Sequence, residues 1–295
     1  MRYETLPTLR CPAGCLPELE PVPDEETGDA ILNGKLVCVG CGCEYPVTDG
    51  IARLLPLNLS SPKHLNTQTP EHPNTQRPTP NAASAAELKR SEMAARDAQA
   101  EAYDKMRGLA LFSKIEIPVT LAQMNLKSND VLLEAGCGTG RMTPIFAARC
   151  ASMVAVDFSF ESLRRCQAKL KRAGITNVDL AQADVCALPF QSDAFAKLVS
   201  CQVLEHIPTP ESRARMISEL ARVTESGGKV VLSAYQHSLY TRLFGQKEGQ
   251  HDGGIYYYRF TRRELRNLLA QSLEVRGMTG ALVYHYLARC EKRGE

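Results

Sequence analysis

Three glycines at alternate positions, with carboxylates around them, are the residues of this 295-residue chain best suited to chemistry. Val131-Leu-Leu-Glu-Ala-Gly136-Cys-Gly138-Thr-Gly140 runs an apolar strand pattern straight into Gly136-x-Gly138-x-Gly140, and a helical pattern follows. Glycines spaced this way let the backbone turn tightly and approach a ligand where any Cβ would collide. Glu134 stands immediately before the loop, Asp157 ends the next strand pattern, and Asp184 follows the third in Gln-Ala-Asp-Val. A lone aspartate after a strand usually serves a turn or a helix cap. Three carboxylates behind three successive strands, with the glycine loop at the first, point to a ligand instead.

The dinucleotide fingerprint is G-x-G-x-x-G, which seats a pyrophosphate over a helix N-terminus. Here Arg141 stands where its last glycine belongs, and the charge of Glu134 would repel a pyrophosphate. A carboxylate at that point suits a cationic amino group and a sulfonium, which favours S-adenosylmethionine over NAD or FAD. Asp157, roughly twenty residues past the first glycine, is placed to accept from two ribose hydroxyls. Asp184 is placed to accept from an exocyclic adenine amine.

Leu204-Glu205-His206-Ile207-Pro208 follows the fourth strand pattern and brings a carboxylate and an imidazole toward the reacting group. Glu205 and His206 are the catalytic candidates, His206 as general base for a hydroxyl or amine; the alternative is that both shape the loop. Cys11-Pro-Ala-Gly-Cys15 and Cys38-Val-Gly-Cys41-Gly-Cys43 form two cysteine knuckles. Thiolates paired in Gly- and Pro-rich turns commonly close a tetrahedral zinc site, so Cys11, Cys15, Cys38 and Cys41 are the expected ligands of a structural Zn2+. The first pair has one residue more than Cys-x-x-Cys, and Cys43 is either spare or a substitute for Cys41.

The elements that must position these groups alternate in type. VLLEA (131–135), MVAVD (153–157), VDLAQA (178–183), AKLVSC (196–201) and KVVLSA (229–234) read as buried strands. Between them, Ser159 caps a helix striped by Leu163, Cys166 and Leu170 and stopped at Gly174. Thr209-Pro-Glu opens another, expected to end at Gly227-Gly228. Alternation of this kind predicts an α/β fold with a doubly wound, mostly parallel sheet. Composition divides the chain into a cysteine-rich segment (1–55), a linker (56–84) rich in Pro, Thr, Asn and Ser, and a catalytic domain (85–295). His251 to Thr261, with two glycines and three tyrosines, reads as a substrate flap or as a strand with one aromatic face.

Charge and cysteine usage set the outer bounds. A net charge of +2 gives no strong field toward nucleic acid or anionic membrane. No apolar stretch approaches the ~20 residues of a membrane span. Eleven cysteines, five of them crowded at the front, fit a reducing cytoplasm better than a disulfide framework.

EAGCGTG, VAVDFS, QADVCALPFQSDAFAKLVSCQVLEHIP and RVTESGGKVVLS, within Asp130 to Ala234, resemble the ordered motifs of class I S-adenosylmethionine-dependent methyltransferases of the type 11 domain group. The resemblance implies a Rossmann-like, seven-stranded sheet. It implies that Glu134, Gly136, Cys137 and Gly138 contact the methionine part, with Gly140 completing the loop. Asp157 and Phe158 would hold ribose and adenine, Asp184 and Val185 the adenine, and Gln202 would border the methionine moiety. A helix before the core folds over the cofactor in related enzymes, which would put Tyr103 near its methionine end; a purely structural role is the alternative. Ala196 departs from the family's usual Asp, and Glu225-Ser226 from its usual Lys-Pro. The front segment, from Cys41 to Pro56, resembles a zinc-ribbon-like domain that activates or precedes several methyltransferases. The expected activity is methyl transfer to an O, N or C acceptor on a small molecule. An RNA methyltransferase, with Arg259, Arg262, Arg263 and Arg266 as its basic face, and a non-catalytic cofactor-binding regulator are the alternatives. The front segment is expected to be separable, with residues 85–295 binding cofactor alone.

Overall fold

A computed structural model describes residues 1–15, 18–59, 80–105, 109–251, 253–281 and 284–294; most of the expected linker, 56–84, lies outside them. The front segment contributes β1 (Leu19–Thr27), β2 (Ala30–Cys38), β3 (Glu44–Thr48) and β4 (Ile51–Leu54). Then come α1 (Pro80–Tyr103), α2 (Leu109–Met124), β5 (Val131–Ala135), α3 (Thr143–Ala147), β6 (Ser152–Asp157), α4 (Phe160–Arg172) and β7 (Val178–Ala183). The chain continues through β8 (Phe195–Cys201), α5 (Pro210–Val223), β9 (Thr224–Tyr235), α6 (Leu239–Phe244), β10 (Glu248–Gln250) and β11 (Tyr256–Tyr258). It closes with α7 (Arg262–Leu269), β12 (Leu273–Ala281) and β13 (His285–Lys292).

Seven of these strands form the expected doubly wound sheet, in the order β7-β6-β5-β8-β9-β13-β12. β5 through β9 pair in parallel and β13 returns antiparallel to β9. Strands β5, β6 and β7 are buried over nearly their whole length, as a sheet covered on both faces requires. The helix ends are set locally. Ser159 Oγ accepts the N–H of Ser162 at the start of α4, Thr209 Oγ1 that of Ser212 at the start of α5, and Thr261 and Glu264 form a capping box on α7.

Two expectations change. Helix α5 stops at Val223, four residues before Gly227-Gly228, because β9 already begins at Thr224. The sheet also does not divide at the linker. β4 pairs in parallel with β7, matching Ile51 with Leu180 and Leu54 with Ala183, so β1 to β4 extend the sheet to eleven strands. Leu19, Ile31 and Leu36 of the front segment share one buried cluster with Leu133, Val154 and Phe190. A front segment hydrogen-bonded and packed this way is part of the same core, not an appendage on a tether.

Candidate active site

The carboxyl ends of β5, β6, β7 and β8 meet around a cavity of about 300 Å³, the place where ligands bind on open parallel sheets. Of the residues expected to hold cofactor, Tyr103, Glu134, Gly136, Cys137, Gly138, Asp157, Phe158, Asp184, Val185 and Gln202 line it, as does His206. The three glycines of the loop all have positive φ, yet for different reasons. A Cβ on Gly136 would strike the side chain of Val203, and one on Gly140 would come within 2.5 Å of Cys166 Sγ. A Cβ on Gly138 would meet no protein atom within 4 Å. Gly138 therefore keeps open space for something other than the protein, whereas Gly140 packs against α4 and does not line the cavity.

The carboxylates are held in different states. Asp157 takes the Gly138 N–H at 2.8 Å on one oxygen and the Ser159 N–H at 2.9 Å on the other. Each oxygen keeps a lone pair, the arrangement needed to receive a pair of ribose hydroxyls. Glu134 is buried and accepts from Thr143 Oγ1 at 2.7 Å; burial lifts its pKa to about 7 against that bond. Asp184 accepts the N–H of Cys186 on one oxygen and pairs with Lys89 Nζ at 2.5 Å on the other. Both Asp184 oxygens are therefore already engaged within the protein.

Lys89 comes from α1, which lies across the mouth of the cavity. Asp97 accepts from Ser159 Oγ at 2.6 Å and from the N–H of Glu161, and Asp104 accepts from Thr139 Oγ1 at 2.7 Å. Polar contacts thus tie α1 and Asp104, the residue after it, to the residues that follow β5, β6 and β7. Sequence reasoning also missed Glu116 on α2. Its buried carboxylate binds Arg141 Nη2 and Gln202 Nε2, each at 2.7 Å, and Ser233 Oγ at 3.1 Å. That network holds Gln202, the residue after β8, in a left-handed conformation with φ of 58°.

The two catalytic candidates part company. His206 lines the cavity, and its Nδ1 lies 2.7 Å from the carbonyl oxygen of Tyr256 on β11. Burial, reinforced by Arg96, pushes its pKa well below the ordinary value, so the ring is neutral near pH 7. Glu205 does not line the cavity. It is fully buried, finds no hydrogen-bond partner among the described residues, and burial lifts its pKa to about 8. Its carboxyl is enclosed by the protein and separated from the cavity surface.

Away from this cavity, the sulfurs of Cys11, Cys15, Cys38 and Cys41 all lie within 4.8 Å of one another, with Cys11 and Cys41 Sγ 3.7 Å apart. Four thiolates around one zinc at ~2.3 Å stand roughly 3.8 Å apart in a tetrahedron, so the set fits that ion. Cys43 stays outside the four; its carbonyl accepts the N–H of Cys38 and closes the knuckle. Of the arginines considered for a basic face, Arg259 stacks on Tyr257 and Arg262 bonds to the carbonyl of Met278, so both are engaged within the protein.

Residues 133–232 match the family model of the methyltransferase domain. The chain is 37% identical over 114 residues to a phosphatidylethanolamine N-methyltransferase of Cereibacter sphaeroides, covering 38% of this chain and 54% of that one. It is 31% identical over 118 residues to a ubiquinone biosynthesis O-methyltransferase of Nitrosomonas europaea, covering 40% and 48%. The chain thus spans about half the length of the curated relatives it matches. Among solved structures, the N-methyltransferase NodS of Bradyrhizobium japonicum bound to S-adenosyl-L-homocysteine superposes with a TM-score of 0.50 at 17% identity, covering 61% of this chain and 87% of that one. A chain of the Haloferax volcanii complex between the Trm112 methyltransferase activator and a methyltransferase superposes with a TM-score of 0.54 at 15% identity, covering 67% and 97%. The glycine loop, the carboxylates on successive strand ends and the matched segment agree: this chain carries a Rossmann-like methyltransferase domain of the S-adenosylmethionine-dependent kind.

Proposed function

We propose that the protein transfers a methyl group from S-adenosylmethionine to an oxygen or nitrogen of a small-molecule acceptor, and that His206 removes the acceptor's proton. The observation that carries this reading is an imidazole on the same cavity as Glu134, Gly138 and Asp157. When bound, the donor supplies a methyl made electrophilic by its sulfonium; the protein's task is alignment in a dry cavity, worth about 7–11 kcal/mol at best. In this reading Glu134 pairs with the donor's amino group, Asp157 with its ribose and Asp184 with its adenine. Gln202 and Tyr103 close the methionine side. His206 needs to act only on acceptors that must lose a proton, which suits a hydroxyl or an amine. The relatives named as a phosphatidylethanolamine N-methyltransferase and a ubiquinone biosynthesis O-methyltransferase support that class, and a net charge of only +2 offers RNA little attraction.

Zinc in the Cys11, Cys15, Cys38 and Cys41 cluster completes the proposal. Four thiolates leave no open coordination position, so the ion would serve structure. The test is calorimetric titration with S-adenosylmethionine, followed by incubation of the protein with methyl-labelled donor and fractionated cell extract. Heat of binding and label in the low-mass fraction are expected. Label confined to RNA or protein would move the acceptor class, and absence of binding heat would end the reading.

A further inference from the structure

The wall of the cavity around His206 is backed by rings. The imidazole stands edge-on to Tyr235 with centroids 5.6 Å apart, and 6.0 Å from the ring of His251. His251 in turn lies 4.6 Å from Tyr257 and 5.8 Å from Tyr235. Two of these rings, His251 and Tyr257, belong to one excursion of the chain, the hairpin in which β10 pairs antiparallel with β11. Its turn is built on Gly253 and Gly254, with φ of 89° and 81°, and is closed by the His251 N–H to the Ile255 carbonyl at 2.8 Å.

The same hairpin supplies the Tyr256 carbonyl that meets His206 Nδ1. A carbonyl oxygen can only accept, so Nδ1 carries the hydrogen and donates it. A neutral imidazole has one N–H, which leaves the lone pair on Nε2. Free histidine prefers the opposite tautomer, so the hairpin is selecting a state as well as filling space. The inference below rests on the methyl-transfer reading.

We propose that the β10–β11 hairpin positions the general base: the Tyr256 carbonyl selects the tautomer with Nε2 open to the acceptor, and the rings of Tyr235 and His251 fix the tilt of the imidazole. In the step this serves, the acceptor's O–H or N–H bond breaks and its proton goes to Nε2. The heteroatom's electron pair forms the new bond to the methyl carbon, and the carbon–sulfur bond breaks with its pair staying on sulfur. The imidazolium so formed keeps its Nδ1–H on the Tyr256 carbonyl. His251, Tyr235 and the hairpin act through His206 and are positioning elements.

The test uses the full chain labelled with 15N-histidine. Long-range proton–nitrogen spectra report which ring nitrogen of His206 carries hydrogen, with His206→Asn giving the assignment. The wild type is expected in the Nδ1–H form. His206→Asn keeps a donor for the Tyr256 carbonyl but has nothing at Nε2. It should fold and bind S-adenosylmethionine within about twofold of wild type while losing on the order of 10²–10⁴-fold in label transfer to the low-mass fraction of a cell extract. Gly253→Ala, which strains the turn without touching the cavity, should shift His206 toward the Nε2–H form and slow transfer by roughly tenfold at unchanged cofactor affinity. An Nε2–H tautomer in the wild type, full transfer by His206→Asn, or a Gly253→Ala protein with unaltered tautomer and rate would each overturn the proposal. Absence of cofactor heat in the wild type would instead remove the methyl-transfer reading beneath it.

Discussion

At Glu134 the protein holds a carboxyl whose charge depends on what enters the cavity. Burial raises its pKa to about 7, working against the hydrogen bond from Thr143 and the attraction of Arg141. A ligand carrying an ammonium and a sulfonium favours the ionised form, so binding must remove the proton wherever the free protein holds one. The sign follows directly: affinity is full above the free-state pKa and falls as pH drops below it, by at most roughly tenfold per pH unit. Calorimetric titration of S-adenosylmethionine from about pH 5.5 to 8.5 should show that slope set in near pH 7, and Glu134→Gln should bind more weakly with a flatter profile. A wild-type profile that is level across this range would show that Glu134 does not face the cation. A slope that survives in Glu134→Gln would belong to Asp157, whose carboxyl burial also raises.

On the scale of elements, the loop between β5 and α3 does two jobs that substitution can separate. Alanine at Gly140 would bear the left-handed backbone cost of roughly 1–2 kcal/mol and a collision with Cys166 on α4, with overpacking adding about 1–3 kcal/mol. Alanine at Gly138 carries only the backbone cost, yet its methyl enters the space a ligand would use. Thermal melts should therefore fall by several degrees more for Gly140→Ala than for Gly138→Ala, while calorimetry should show the larger loss of cofactor binding in Gly138→Ala. Equal behaviour of the two variants would mean that the loop is only a packing device. Both roles rest on a spacing visible in the chain, as do the caps at Ser159 and Thr209 and the largely apolar segments of β5 to β7, because each is set within a few residues. Other parts of the site left no such trace. Glu116 meets Gln202 across 86 residues, and Arg53 meets Gln182 across 129. The partner of His206 is a backbone carbonyl, which no residue type announces. A Gly-Gly pair after α5 looked like a helix stop because glycine marks helix ends and strand irregularities alike.

For the molecule as a whole, the decisive contact is the pairing of β4 with β7. β7 would be the sheet's edge if residues 1–55 were absent, with buried Leu180, Ala181 and Ala183 losing their cover and a row of backbone groups left unpaired. The same junction reaches the cavity. Arg53 of β4 donates to Gln182 at 3.0 Å, Gln182 donates to the carbonyl of Phe158 at 2.9 Å, and Phe158 lines the cavity beside Asp157. Cys11 and Cys15 lie ahead of β1, while Cys38 and Cys41 flank the turn between β2 and β3, so a metal closing that cluster would steady β3 and β4 and, through them, the Phe158 side of the cavity. We infer that the front segment is not separable in function from the rest, against the expectation that residues 85–295 bind cofactor alone. Residues 85–295 expressed alone should aggregate or melt well below the full chain and bind S-adenosylmethionine weakly if at all. Arg53→Ala in the full chain should fold and still lose several-fold in cofactor affinity. Treatment of the full chain with a chelator should lower both its melting temperature and its cofactor affinity together. A soluble 85–295 fragment with wild-type affinity would show that the sheet's extension is ornamental to the site, since every route from β4 to Phe158 would then be missing without consequence.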